Sequence, residues 1–164
     1  MNIFYLHSTP KIAAQYHCDK HVVKMILETA QLLYCAHWVL CSKNMPANAY
    51  RKTHPNHPSA IWTRESVANY NWLCQLGMEL CVEYTHRYGK THKTQAHLEW
   101  LSDNIPEGIM QTINTPLKLA MPDQYKREDP VESYRSYYLG EKARMFKYTK
   151  REFPEFITSG GDLP

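Results

Sequence analysis

His17, His21, Lys24 and Glu28 recur at helical spacing near the start of the chain, with Gln31 one turn further on. At 100° per residue the five fall within a sector of roughly 80°. An ordinary solvent face carries Lys, Glu and Gln in loose order. Two imidazoles and a carboxylate in register suit proton transfer or ligand binding instead. Glu28, poised among cations, would be the acid–base carboxylate, with His21 positioning a phosphate or relaying a proton. Two other readings stay open. His17 and His21 have the i, i+4 spacing of zinc ligands, although HCDKH lacks the Glu that follows the first His in a zinc-protease helix and offers no third ligand. Lys24 and Glu28 are also spaced as a plain intrahelical ion pair.

The segment THPNHPSAIWTRE is a second constellation. His54 and His57 each precede a proline where a helix should begin, and helix N-termini favour anions. Arg64, on the following turns, could hold a phosphate through two parallel hydrogen bonds. The alternative is that the His-Pro steps only set the turn and Arg64 is solvated. A third candidate lies between Tyr134 and Arg151, where Arg135, Lys142, Arg144, Lys147, Lys150 and Arg151 face a single acid, Glu141, and alternate with aromatic residues. Such a helix suits phosphate contacts and base stacking, with Arg135, Tyr138 and Lys142 as the contacts. A solvated face with its tyrosines turned inward is the competing reading. In EYTHRYGKTHK, cations close a helix as the helix dipole alone would favour.

Helices must position these residues. Thr9 and Pro10 start the first, which should run unbroken to about Cys41. Pro58 opens a second that ends at Tyr88, with Gly89 just beyond it. Along its apolar face Ser66 and Asn69 interrupt Trp62, Tyr70, Leu73, Leu76 and Leu80, as interface partners or as residues reaching a site. A shorter helix covers Thr94 to Leu101. Residues 103–129, with Pro106, Pro116 and Pro122, read as an ordered loop. Asp129-Pro130-Val131-Glu132 is a capping box that starts the basic helix, expected to reach about Arg151. Residues 1–8 read as an extended lead-in and 152–164 as a frayed tail. The fold class is all-α: one domain over 1–164, with three main helices, a shorter one and a long Pro-containing loop.

At 164 residues and 43% hydrophobic content the chain can bury a core without disulfides or a structural metal. A net charge of +3 permits a nucleic-acid partner without demanding one. Five cysteines, none in a Cys-x-x-Cys pair, fit reduced thiols. No apolar run approaches the roughly 18 residues of a membrane span, and MNIFYLHSTP lacks the pattern of a secretion signal, so a cytoplasmic protein without a membrane partner is expected. The six scattered glycines form no phosphate-binding loop, dinucleotide fingerprint or nucleophile elbow, and no cofactor or metal is expected.

NIFYLH, DKHVVKMILETAQLL, THPNHPSAIWTRES, NYNWL, EYTHRYGKTHK, AMPDQYK and YRSYYLGEKA together resemble a small-protein family recurring in tailed-phage genomes. The chain also resembles the phage pyrimidine-dimer DNA glycosylase/AP lyase family known as endonuclease V. His21 and Glu28 reproduce the seven-residue spacing between that family's His and catalytic Glu, and YRSYYLGEK resembles its aromatic-basic segment. The resemblance implies a compact all-α enzyme acting on a damaged or modified base in duplex DNA, with Glu28 and His21 catalytic. Lys24, His54, His57, Arg64, Arg135, Tyr138 and Lys142 would bind DNA. In that family the nucleophile is the α-amine of a small residue exposed when the initiator Met is removed. This chain begins Met1-Asn2, a poor context for removal, so the amine of Met1 would have to attack. Two other functions remain: a non-catalytic phage protein binding a host protein or nucleic acid, and a metal-dependent hydrolase using His17, His21 and Glu28.

Overall fold

The computed structural model describes residues 1–159. The fold is all-α: α1 (Pro10–Tyr16), α2 (Asp19–Val39), α3 (Pro58–Glu65), α4 (Val67–Tyr88), α5 (Gln95–Asp103), α6 (Pro130–Glu141) and α7 (Glu155–Thr158). Two 3-10 turns, Asp123–Tyr125 and Ala143–Met145, flank α6. No strand forms among the described residues, only an isolated bridge between Ser66 and Gln111. None of their helices is long and apolar enough to cross a membrane. α2 and α4 pack along each other, with α1 and α5 against α4 and α3 against both. The extended lead-in passes into the core, where Ile3, Phe4 and Leu6 are buried. All five cysteines are unpaired.

The expected first helix is two helices. His17 and Cys18 are extended, at φ/ψ of −70/135 and −68/162, though neither Gly nor Pro stands there. The cause is tertiary. The buried Arg87 of α4 donates from Nη1 to the His17 carbonyl (2.8 Å) and from Nη2 to the Gln15 carbonyl (3.0 Å). The Asp19 amide turns to the Lys147 carbonyl, 2.8 Å away. These groups would otherwise pair within a continuous helix.

Likewise the expected second helix breaks at Ser66, extended at φ −151 and ψ 157. Its hydroxyl caps α4 by accepting from the Asn69 amide at 3.0 Å, and the Gln111 carbonyl takes the Val67 amide at 2.9 Å. Asn69 pins the long loop, donating to the Trp62 carbonyl (2.8 Å) and Thr115 Oγ1 (2.7 Å) and accepting from the Thr115 amide (3.1 Å). Gly89 ends α4 in the left-handed region, φ 71, as expected.

The basic helix also stops earlier than expected, at Glu141, and the chain to Arg151 is a 3-10 turn followed by irregular structure. Its direction is set by Asp19, whose carboxylate takes the Thr149 amide (2.9 Å) and hydroxyl (2.6 Å). Part of the tail expected to fray is anchored, because α7 buries Ile157. Residues 160–164 of that tail lie outside the described residues.

Arg87 completes its shell with Asp19 Oδ1 at 3.0 Å and Glu83 Oε1 at 2.9 Å, and Arg151 donates to both Glu83 oxygens at 2.8 and 3.1 Å. Burial would raise the Glu83 carboxyl, but the hydrogen bonds from Arg151 and Arg87 outweigh it and hold it below the ordinary range. Replacing Arg87 with Met leaves two buried carboxylates short of a partner. The expected loss is about 3–5 kcal/mol in urea unfolding, with little recovered by Arg87→Lys, whose single ammonium cannot span these acceptors. A loss below about 1 kcal/mol would show that the network contributes little to stability.

Candidate active site

Glu28 lies in the middle of α2 with only 8% of its surface exposed. Its Oε1 is 3.5 Å from the α-amino nitrogen of Met1, which the buried lead-in carries onto the helix. Its Oε2 is 3.7 Å from Lys24 Nζ, too far for a hydrogen bond, and has no partner of its own. Lys24 reaches outward, with 70% of its side chain exposed. A carboxylate with an unused oxygen, an amine beside it and a solvated cation at the rim therefore share one place.

His57 adds an imidazole. It caps α3, and its Nδ1 accepts from the Ser59 amide at 3.0 Å, which leaves the proton of the neutral ring on Nε2. Burial lowers its pKa most, aided by the chain's α-amine and His54; Glu28 and the Met1 backbone act in the opposite sense. The net lowering favours the neutral ring, with Nε2–H as its donor.

The residue after Met1 is held from three directions. Asn2 Oδ1 accepts from the Ile3 amide and from the Tyr134 hydroxyl, both at 2.9 Å, while Nδ2 donates to the Ala120 carbonyl at 2.9 Å. Sequence reasoning did not single out Asn2, since its long-range partners lie 118 and 132 positions away.

The other candidates sit elsewhere. His21 is buried, stacks on Phe4 with centroids 4.5 Å apart and places Nδ1 2.9 Å from the Tyr138 hydroxyl. Tyr138 is fully buried, and its hydroxyl also accepts from the Cys18 amide at 3.0 Å. Its ring has no free face for a DNA base, which corrects the expectation of stacking. Arg135 donates from Nε to the Leu6 carbonyl (2.9 Å) and lies over the Tyr16 and Phe156 rings. Lys142 sits over the rings of Phe4 and Tyr137, at 6.0 and 5.4 Å. Arg64 is half-buried, about two turns along α3 from His57, and its Nη1 has no partner. His54 is exposed, with φ at 48 and Nδ1 2.6 Å from the Thr53 hydroxyl.

The break at His17 takes that residue out of the stripe. His17 is fully buried, its Nδ1 lies 2.6 Å from the Ala13 carbonyl, and Nε2 is unpartnered. His17, His21 and Glu28 therefore do not assemble as the metal-hydrolase reading required. Among the described residues no group of three or more His, Cys, Asp or Glu is placed to hold a metal ion. A cleft of about 280 Å³ at the far end of α2, lined by His37, Leu40, Cys41 and Trp100 among others, includes neither Met1 nor Glu28.

An amine against a carboxylate can attack an electrophilic carbon and pass on the protons released. A family model described as pyrimidine dimer DNA glycosylase matches residues 1–96, the stretch that holds Met1, Lys24, Glu28 and His57. No curated protein and no solved structure matches the chain.

Burial, the largest cause in both, pushes the His17 imidazole down to about 4 and that of His21 down to about 3. In the unfolded chain both titrate near 6.5. Below that pH the unfolded chain binds protons the folded one refuses, so stability falls as pH drops from 6.5 toward 3. The loss is on the order of 3–5 kcal/mol per imidazole at the acid end. Urea midpoints measured across this window should decline, and less steeply in the His17→Asn/His21→Asn double variant. A wild-type profile as flat as the variant's would mean that both rings accept protons in the folded state.

Proposed function

The chain belongs to the pyrimidine dimer DNA glycosylase family, and we propose that it excises pyrimidine dimers from duplex DNA by glycosylase/AP-lyase chemistry. In this reading the Met1 amine is the nucleophile and Glu28 the carboxylate that serves it. The observation that carries the reading is the buried contact between them, 3.5 Å long.

The unprotonated amine attacks C1′ of the damaged nucleotide. The N-glycosidic bond breaks, its electron pair leaves with the base, and the base takes up a proton from water. Glu28 stabilises the positive charge that develops at the sugar. The bond from C1′ to the ring oxygen then opens, a proton passes from nitrogen to that oxygen, and an iminium links Met1 to the sugar. Glu28 removes a proton from C2′, and the bond from C3′ to oxygen breaks, with its electron pair leaving on the phosphate. Water hydrolyses the imine and frees the amine. α-Amines as a class hold their proton less tightly than lysine side chains, which favours them as nucleophiles at neutral pH.

His57, neutral with its proton on Nε2, donates to the sugar ring oxygen or a neighbouring phosphate. Lys24 at the rim, with His54 and Arg64 further along, meets the phosphates flanking the lesion. Lys142 and Arg135 hold the lead-in and reinforce the positive field around it. The protein then works where its DNA is: in the cytoplasm, or in that of the host cell for a phage-encoded protein.

Borohydride trapping on duplexes bearing a cyclobutane dimer, an abasic site or neither tests this directly. A covalent adduct should form on damaged strands alone, and peptide mass should place it on Met1. Glu28→Gln should slow turnover about 100-fold or more while the protein still binds DNA. Folded protein that yields no adduct on any strand would end the amine mechanism and leave a non-catalytic binder. Lys24→Ala should weaken binding and reduce the slope of log affinity against log salt by about one. An unchanged slope would remove Lys24 from the phosphate contacts.

A further inference from the structure

Asn2 has no part in the chemistry above, yet each polar atom of its side chain is bonded. We propose that Asn2 is the positioning residue that sets the Met1 amine against Glu28, and that Tyr134 and the 118–120 segment are its clamp. The proposal rests on the amine mechanism for its catalytic meaning and on the hydrogen bonds for its geometry.

Asn2 Oδ1 receives both the Ile3 amide and the Tyr134 hydroxyl, and Nδ2 holds the Ala120 carbonyl. Tyr134 is fully buried, so its hydroxyl has no water to turn to; its longer alternative acceptor, the Lys118 carbonyl, is 3.3 Å away. The Tyr134 hydroxyl oxygen also accepts from the Ala120 amide at 3.3 Å. The segment is fixed in turn by Thr115 on Asn69 and by Lys118 Nζ, 3.6 Å from Glu65 Oε2. Once Asn2 is held, only a planar peptide and two torsions separate it from the amine. A clamp at residue 2 thus aims the nitrogen of residue 1. Were Met1 lost, the amine would recede by one residue, about 3.8 Å between Cα positions.

Tyr134 and Ala120 lie outside residues 1–96, the part the family model covers. The nucleophile and its carboxylate come from the matched part, and the device that aims the nucleophile comes from the rest.

The test uses full-length Asn2→Leu, Asn2→Asp and Tyr134→Phe, with intact mass confirming that Met1 is present and thermal unfolding confirming the fold. Three quantities are read: the single-turnover trapping rate on an abasic-site duplex, the dissociation constant for that duplex, and the acylation rate of the Met1 amine by an N-hydroxysuccinimide ester. Asn2→Leu and Tyr134→Phe should slow trapping at least tenfold, leave DNA affinity within twofold and speed acylation several-fold as the amine swings free. Asn2→Asp keeps the accepting oxygen and should fall between them and wild type. Wild-type trapping and acylation rates in folded Asn2→Leu and Tyr134→Phe would overturn the clamp. Should Asn2→Leu fail to fold, Tyr134→Phe decides alone. If wild type never traps DNA but acylation still responds to the variants, the mechanism fails and the clamp stands.

Discussion

The guanidinium of Arg87 is bonded through all three of its nitrogens in a place that water does not reach, and the path of the chain follows from it. Its acceptors are two carbonyls at the end of α1, Asp19 at the start of α2 and Glu83 one turn back on α4. Asp19 and Glu83 carry the same network on to Thr149 and Arg151. A single side chain thus holds open the break between α1 and α2, joins both to α4, and returns the C-terminal segment to that junction. With the break in place α1 leaves the axis of α2 and packs on α4. The lead-in before α1 can then cross α2, where Phe4 stacks on His21 and Met1 meets Glu28.

Two buried carboxylates differ in how completely they are paired. Glu83 accepts three guanidinium hydrogen bonds, which offset the cost of removing its charge from water. Glu28 is buried nearly as well and has two cations near it, but neither within hydrogen-bonding distance, and one of its oxygens is bonded to nothing. Incomplete pairing of a desolvated carboxylate costs stability and makes sense where a further positive charge arises in use. The sugar cation of a glycosylase is such a charge.

Periodicity and capping residues made the helices legible. Thr9-Pro10, Pro58, Asp129-Pro130 and Gly89 mark the starts and the stop where the structure has them. The two breaks were not legible, because neither His17 nor Ser66 departs from a helical pattern; what opens the chain there is Arg87 in one case and Gln111 in the other. Within the candidate site, the seven-residue step from His21 to Glu28 drew attention to α2, where Glu28 meets Met1, while His21 packs into the core. His57 was visible from its place before a proline at a helix start. Asn2 was not, since a lone Asn near a terminus carries no local signal and its meaning comes wholly from Tyr134 and Ala120.

The aromatic-basic segment reads differently once α6 is placed. Tyr134 bonds Asn2, Arg135 bonds the Leu6 carbonyl, Tyr138 bonds His21 beneath Phe4, and Lys142 lies over Phe4 itself. Residues that in sequence suggested a grip on DNA form instead a cradle along the lead-in. The physical need is plain. An extended segment without a neighbouring strand has no ladder to satisfy its backbone or fix its course, so side chains must do both. A free terminus would also spread the amine over many orientations, and holding it beforehand removes that entropy from the barrier to attack. In the proposed mechanism the cradle serves the amine of Met1, and two of the three tyrosines of α6, Tyr134 and Tyr138, turn fully inward to build it.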